Sequence, residues 1–350
     1  MRPTLILVTP YLASANNGNW RTAARWARML APRFRVILQS ADAPVIGAAR
    51  ERAVALVALH ARRSRDAIAA WKRAHPDRAL VVALTGTDLY RDIPAGDADA
   101  LASLADADRL IVLQSDALRH LPAVRRAKAS VVMQSARTLS PFASKASTRL
   151  NAIVVGHLRA EKDPLTAIAA WRHLPADVPA TLTLVGGALD PALADDVRRA
   201  CAADARVRWL GAREHGWTRQ AIRRAHVLVV ASRLEGGANV VVEALTAGTP
   251  VIGTRMSGNV GMLGEAYPGY FEVGDARSLA TAIARAARDP AWLARLAAHG
   301  DRRARLMTPE AEARALEAAI DAALRGRSAR GARMVGRHAP ARRAAAKARR

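Results

Sequence analysis

The sequence predicts an α/β protein built from two Rossmann-like domains in tandem, and three observations predict it. Short, almost continuously apolar strands alternate with segments of helical period up to residue 133. A Ser/Thr-rich stretch with one proline then interrupts the alternation over residues 135–149. The same alternation restarts and runs to residue 272. Strands that read as apolar runs separated by helices belong to a parallel sheet covered on both faces.

Taken in order, the first half offers strands at 4–9, 34–39, 54–59, 80–84, 109–113 and 130–133, with helices at 19–30 and 65–75 between them. The second half offers strands at 151–155, 181–185, 206–210, 227–231, 249–253 and 270–272. Six strands, a linker and six more give a first domain over 1–148 and a second over 149–305. Their sheets face each other across a cleft at the strands' carboxyl ends. Helices follow at 276–288, 291–306 and 309–324. Beyond Leu324 apolar periodicity stops, so 306–325 is read as a terminal helix and 326–350 as a disordered Arg-rich tail.

The 350 residues carry a net charge of +24, of which the stretch 325–350 supplies ten basic residues and no acidic one. Only five of the 54 basic residues are lysines, and alanine is abundant, which reads as a compositional bias more than a nucleic-acid footprint. The tail also lacks an aromatic residue on which a base would stack. No specific nucleic-acid partner is expected, although a basic surface favours anionic substrates. The single cysteine, Cys201, forms no internal disulfide. Neither a secretory signal nor a membrane-length apolar run is present, so a cytoplasmic monomer or weak homodimer is expected. The loop after the first strand is not GxGxxG, and there is no GxxxxGK[ST], GxSxG or HExxH. Dinucleotide dehydrogenases, P-loop ATPases, α/β-hydrolases and zinc hydrolases would each lack their central device.

The sharpest motif is Glu235-Gly236-Gly237-Ala238-Asn239-Val240-Val241-Val242-Glu243, placed after the strand at 227–231. Small residues there admit the backbone N–H groups to an anion, and the helix opening at Ala238 or Asn239 favours negative charge. One carboxylate lies in the loop and the other about a turn inside the helix, a separation that suits hydroxyl groups at the two ends of a diphosphate. An acidic capping loop with a surface glutamate is the plain alternative. In the first half, Asn16-Asn17-Gly18-Asn19 opens a helix after strand one. His60-Ala61-Arg62-Arg63-Ser64 and Thr85-Gly86-Thr87-Asp88 end two further strands at the same sheet edge. Two guanidiniums and a serine at a helix start form a phosphate-sized anion site, with capping by Ser64 or Asp88 as the bland reading.

Glu235 to Glu243 resembles the E-x7-E motif of the retaining nucleotide-sugar glycosyltransferases with the GT-B fold, family 4. The resemblance implies that Glu243 holds the nucleotide ribose, Glu235 the donor sugar's hydroxyls, and the linked amides of Gly236, Gly237, Ala238, Asn239 and Val240 the diphosphate and sugar. Gly156-His157-Leu158-Arg159-Ala160-Glu161-Lys162 resembles that family's diphosphate clamp, with Arg159 and Lys162 as its cations. The chain departs from the pattern after the lysine, where Asp163-Pro164 stands in place of a glycine. Ala212 and Arg213 would flank the base, with UDP the family's commonest nucleotide. Asn17 and Gly18 would approach the reacting centre. No metal and no cofactor are expected, since the clamp's positive side chains replace a metal and the UDP-sugar is a substrate.

The motifs of the first half, together with Gly258-Asn259-Val260-Gly261, resemble the selenosugar synthases of selenoneine biosynthesis, a branch of that family. That resemblance implies transfer of a hexosyl group from UDP-GlcNAc or UDP-glucose to selenophosphate. The acceptor would sit among Asn16, Asn17, Gly18, Asn19, His60, Arg62, Ser64, Thr85, Thr87 and Asp88. The competing expectation is an ordinary hexosyltransferase acting on a hydroxyl of a lipid or polysaccharide precursor.

Overall fold

The computed structural model of the chain describes residues 2–12, 18–44, 47, 51–142, 145 and 148–337. Two six-stranded sheets form, and every strand pair in both is parallel. The first comprises β1 (Thr4–Thr9), β2 (Arg35–Ser40), β3 (Ala53–Leu59), β4 (Ala79–Leu84), β5 (Arg109–Val112) and β6 (Ala129–Val131), in the order β2-β1-β3-β4-β5-β6. The second comprises β7 (Leu150–Val155), β8 (Ala180–Val185), β9 (Val207–Trp209), β10 (Val227–Val230), β11 (Val251–Thr254) and β12 (Tyr270–Phe271), in the order β12-β11-β10-β7-β8-β9. In each sheet the winding reverses beside the first strand, between β1 and β3 and between β7 and β10. A crevice opens at such a reversal, beyond the carboxyl ends of the strands.

Helices α1 (Gly18–Leu30), α2 (Arg65–Ala74), α3 (Ala98–Asp106) and α4 (Ala123–Arg126) belong to the first domain. The second contains α5 (Pro164–Arg172), α6 (Pro191–Ala202), α7 (His215–Arg224), α8 (Asn239–Leu245), α9 (Ser257–Leu263), α10 (Ala276–Arg288) and α11 (Pro290–Ala304). Alternate residues of each strand feed opposite cores. Leu5 and Leu7 of β1 pack with Trp26 of α1, whereas Ile6 and Val8 pack with Ile68 and Trp71 of α2. The two domains use the same fastening. Trp71 donates its indole N–H to Ala79 O at 3.2 Å, and Trp171 donates to Ala180 O at 3.2 Å, so each fully buried ring satisfies its one polar atom on the strand that follows.

The last helix, α12 (Pro309–Arg337), leaves the second domain and returns to the first. Its Leu316, Ala319, Ile320 and Ala323 are buried against the α1 side of the first sheet. Two corrections to the sequence reading follow. The terminal helix does not end near residue 325 but continues to Arg337, and Arg327 pairs with Asp108 at 2.8 Å. The tail expected from residue 326 is therefore helical as far as 337, in spite of the glycines at 326, 331 and 336. The rest of that tail, 338–350, lies outside the described residues.

Candidate active site

A cleft runs between the carboxyl edges of the two sheets. From the second domain it is lined by the loop after β7 (Gly156, His157, Arg159, Glu161 and Lys162), by Ala212, Arg213 and His215, and by 234–240 with Glu243. From the first it is lined by Tyr11, Gly18, Asn19, Arg21, Thr22, His60, Arg63, Thr85, Gly86, Thr87, Leu113 and Gln134.

On the second-domain side, β10 ends at Val230 and the chain turns through Glu235 into α8, whose first residue is Asn239. Gly236 packs directly on the first domain, where a Cβ would collide with Thr85 O. Only glycine lets the two loops approach this closely. Glu235 is almost buried, accepts from Ser232 Oγ at 2.7 Å and forms an ion pair with Lys162. Glu243 lies one turn into α8 and meets His215 Nε2 at 2.6 Å. Arg159 is exposed at the cleft's edge. Arg213 reaches over the Trp217 ring, 5.8 Å from its centroid. Asp163, where the sequence lacks the family's glycine, adopts φ 45° and ψ 55°, the left-handed region that favours glycine. Its side chain offsets that strain by accepting from Thr166 N at 3.3 Å, so capping α5, and by pairing with Arg233 at 2.8 Å.

The first-domain side differs from expectation at three residues. Arg62 turns away from the cleft to Asp92, at 3.0 Å. Ser64 is fully buried and spends its hydroxyl on Leu59 O at 2.6 Å. Asp88, also fully buried, accepts the N–H groups of Ala61, Thr85 and Gly86, each at 2.9 Å, and so fastens the ends of β3 and β4 together. These three residues build the cleft wall without facing it. Gly18, Asn19, His60, Thr85 and Thr87 do line the cleft, while Asn16 and Asn17 lie outside the described residues.

The residue that faces the cleft is Arg63, held over the Tyr11 ring at 5.2 Å and hydrogen-bonded to its hydroxyl. The switch from Arg62 to Arg63 originates in His60, whose φ of 72° turns the chain sharply after β3. His60 Nδ1 accepts from Arg63 N–H at 3.2 Å, so its Nε2 carries the proton and donates to Thr87 Oγ1 at 2.8 Å. Thr87 therefore keeps its own hydroxyl proton to offer elsewhere. Burial holds the His60 imidazole below its ordinary pKa against the opposing charge of Asp88, with Arg63 adding to the depression.

Cations line both walls, Arg159, Lys162 and Arg213 on the second domain and Arg21 and Arg63 on the first, but among the described residues the carboxylates lie on one wall only. They are Glu161, Glu235 and Glu243, all from the second domain. Among the described residues, the first-domain wall presents Arg21 and Arg63 and no carboxylate. Sequence reasoning gave no role to Tyr11, Arg21 or His215, and it counted Arg63 as one of two guanidiniums of an anion site while naming only Arg62 among the acceptor residues.

Residues 137–307 match the family model described as glycosyl transferases group 1. The chain has the GT-B fold. Among solved structures, Anabaena Alr3699/HepE in complex with UDP and glucose superposes with a TM-score of 0.74 at 14% identity, covering 91% of this chain and 100% of that one. Sucrose-phosphate synthase from Thermosynechococcus elongatus gives 0.72 at 19% identity, covering 95% and 100%. A glycosyltransferase from Rickettsia africae gives 0.71 at 12% identity, covering 92% and 98%. No curated protein matches the chain in sequence. No helix among the described residues is long and apolar enough to cross a membrane.

Proposed function

We propose that this chain is a glycosyltransferase that moves a hexosyl group from a UDP-sugar, UDP-GlcNAc or UDP-glucose, to selenophosphate. The anomeric C–O bond breaks with its electron pair leaving on UDP, and selenium supplies the pair for the new C–Se bond. Water then cleaves the Se–P bond to leave a 1-selenosugar. The donor half of this reading draws on the group 1 match and on the UDP and glucose bound by the Anabaena protein.

In this reading, Arg159 and Lys162 stabilise the charge that grows on the departing diphosphate, a task that needs no metal here. Each such cation contributes about 3 kcal/mol to the transition state, roughly a hundredfold in rate. Glu243 orients the ribose and Glu235 the sugar.

The observation that carries the acceptor half is the first-domain wall, which presents two arginines and no carboxylate among the described residues, whereas Arg159, Lys162 and Arg213 on the second wall stand among three carboxylates. A neutral hydroxyl gains little from two guanidiniums, whereas an oxyanion gains charge-assisted hydrogen bonds from both. The Thr87 hydroxyl, oriented as a donor by His60, adds a third. Selenophosphate arrives already anionic and is a soft, strong nucleophile, so no protein base has to create the attacking species.

The test is UDP release from UDP-sugars by purified protein, with selenophosphate or with hydroxyl acceptors. Turnover with selenophosphate and a selenium-bearing sugar product supports the proposal. Turnover with hydroxyl acceptors alone moves the function to the ordinary hexosyltransferases.

A further inference from the structure

Glu312 lies on the first turn of α12, far along the chain from the motifs above, and only 1% of it is exposed. A buried carboxylate must be matched by donors or it destabilises the fold. This one accepts from Trp26 Nε1 at 2.7 Å, from Ser135 N at 2.9 Å and from Ser135 Oγ at 2.5 Å. It also takes two bonds from Arg25, Nε to Oε2 at 2.8 Å and Nη2 to Oε1 at 3.0 Å. That bidentate grip fixes the plane of the guanidinium. The remaining arm of Arg25, Nη1, reaches across the domain boundary to Asn239 Oδ1 at 3.2 Å.

Arginine has donors only, so the carboxamide of Asn239 must present its oxygen to Arg25. Its Nδ2 is thereby turned to the other side, toward Gly18 and the cleft, where a Cβ on Gly18 would lie 3.7 Å away. Asn239 is the first residue of α8, beside the amides that the proposed donor would meet. We infer that Glu312 and Arg25 are positioning residues for the donor site: they lock the Asn239 amide so that its two N–H groups face the nucleotide sugar's diphosphate. The inference rests on the donor half of the proposed function. It makes α12 a working part of the active site as well as packing for the first domain.

A plain structural role predicts something different. If Asn239 only opened α8, aspartate would serve at least as well, since it keeps the bond to Arg25 and suits a helix N-terminus. If the amide donates into the cleft, Asn239→Asp puts a carboxylate against a diphosphate.

The experiment measures UDP affinity by calorimetry and steady-state kinetics with the UDP-sugar, using full-length protein below its melting temperature. The expected results are a tenfold or larger loss of UDP affinity in Asn239→Asp with an unchanged or higher Tm, and a tenfold loss of kcat in Arg25→Gln. The pair Arg25→Gln and Asn239→Ala should be non-additive, the double variant being no worse than the poorer single one within about twofold. Glu312→Gln should behave as Arg25→Gln does. Should that variant fail to fold, the Arg25 and Asn239 cycle, at a half-buried position, still decides. Additive losses in that cycle, or wild-type UDP affinity in Asn239→Asp, overturn the relay. Wild-type protein that binds no UDP overturns instead the donor reading beneath it.

Discussion

Lys162, from the loop after β7, forms an ion pair with Glu235, from the loop after β10. The clamp's cation and the carboxylate assigned to the sugar thus hold each other, with both side chains largely shielded from water. Removing the lysine should do double damage, leaving Glu235 without its counter-charge and the departing diphosphate with Arg159 alone of its two cations. Lys162→Ala is expected to lower kcat about a hundredfold, or roughly 3 kcal/mol. Lys162→Arg should recover part of it. Steady-state UDP release checks both.

Glu243 should govern donor affinity more than turnover, because a ribose contact is present in the ground and transition states alike. Glu243→Ala should raise the donor KM tenfold or more with a smaller change in kcat. His215, bonded to Glu243 at 2.6 Å, holds that carboxylate in place. His215→Ala should shift the same KM in the same direction by a few-fold. A kcat effect larger than the KM effect in either variant would reverse the assignment.

Adjacent arginines should give opposite results. Arg63 faces the cleft, so Arg63→Ala should raise the KM for selenophosphate tenfold or more, about 1.4 kcal/mol, while the donor KM stays near wild type. Arg62 points at Asp92, which Arg91 also contacts at 3.0 Å. Arg62→Ala should therefore leave both Michaelis constants within about twofold. Kinetics of the two purified variants, run side by side, provide the check.

Asp163 should tolerate asparagine and reject alanine. Asparagine accepts the left-handed backbone and can still cap α5, and the ion pair it loses involves a mainly exposed Arg233. Alanine retains the backbone strain and loses the cap. Urea unfolding should place Asp163→Ala about 1 kcal/mol below wild type, from the lost cap. Asp163→Asn should stay within about 0.5 kcal/mol.

Stability should fall in mild acid. Burial depresses the folded-state pKa of His60 and of His75. The unfolded chain therefore binds more protons than the native one at pH values between the folded values and about 6.5. The contribution of these two groups is complete above about pH 6.5 and is lost progressively as the pH drops below it. A Tm series from pH 8 to pH 5 should show this decline, and His60→Gln should flatten part of it.

All twelve strands were legible within two residues because a doubly covered parallel strand is a nearly unbroken apolar run. The donor-side constellation was legible for a related reason: Glu235 and Glu243 share one loop and one helix, so spacing alone defines their geometry. The acceptor wall was not. Whether Arg62 or Arg63 enters the cleft depends on a single positive φ at His60, and no pattern of residue types announces that angle. The bonds from Glu312 to Arg25 and Trp26 join residues 287 and 286 positions apart, beyond any local periodicity. The extension of α12 escaped because both the loss of apolar periodicity after Leu324 and the glycines at 326, 331 and 336 argue against a helix there.

The chain passes between the domains twice, once after β6 and once between α11 and α12. The two passages touch, with Ala136 N–H donating to Met307 O at 3.4 Å and Ser135 bound to Glu312. The buried Glu312 carboxylate, carried by α12 on the second passage and bonded to Ser135 on the first, is the knot that ties them together. Its other bonds, to Arg25 and Trp26 of α1, anchor that knot to the first domain, so the joint between the domains and the edge of the cleft share one side chain.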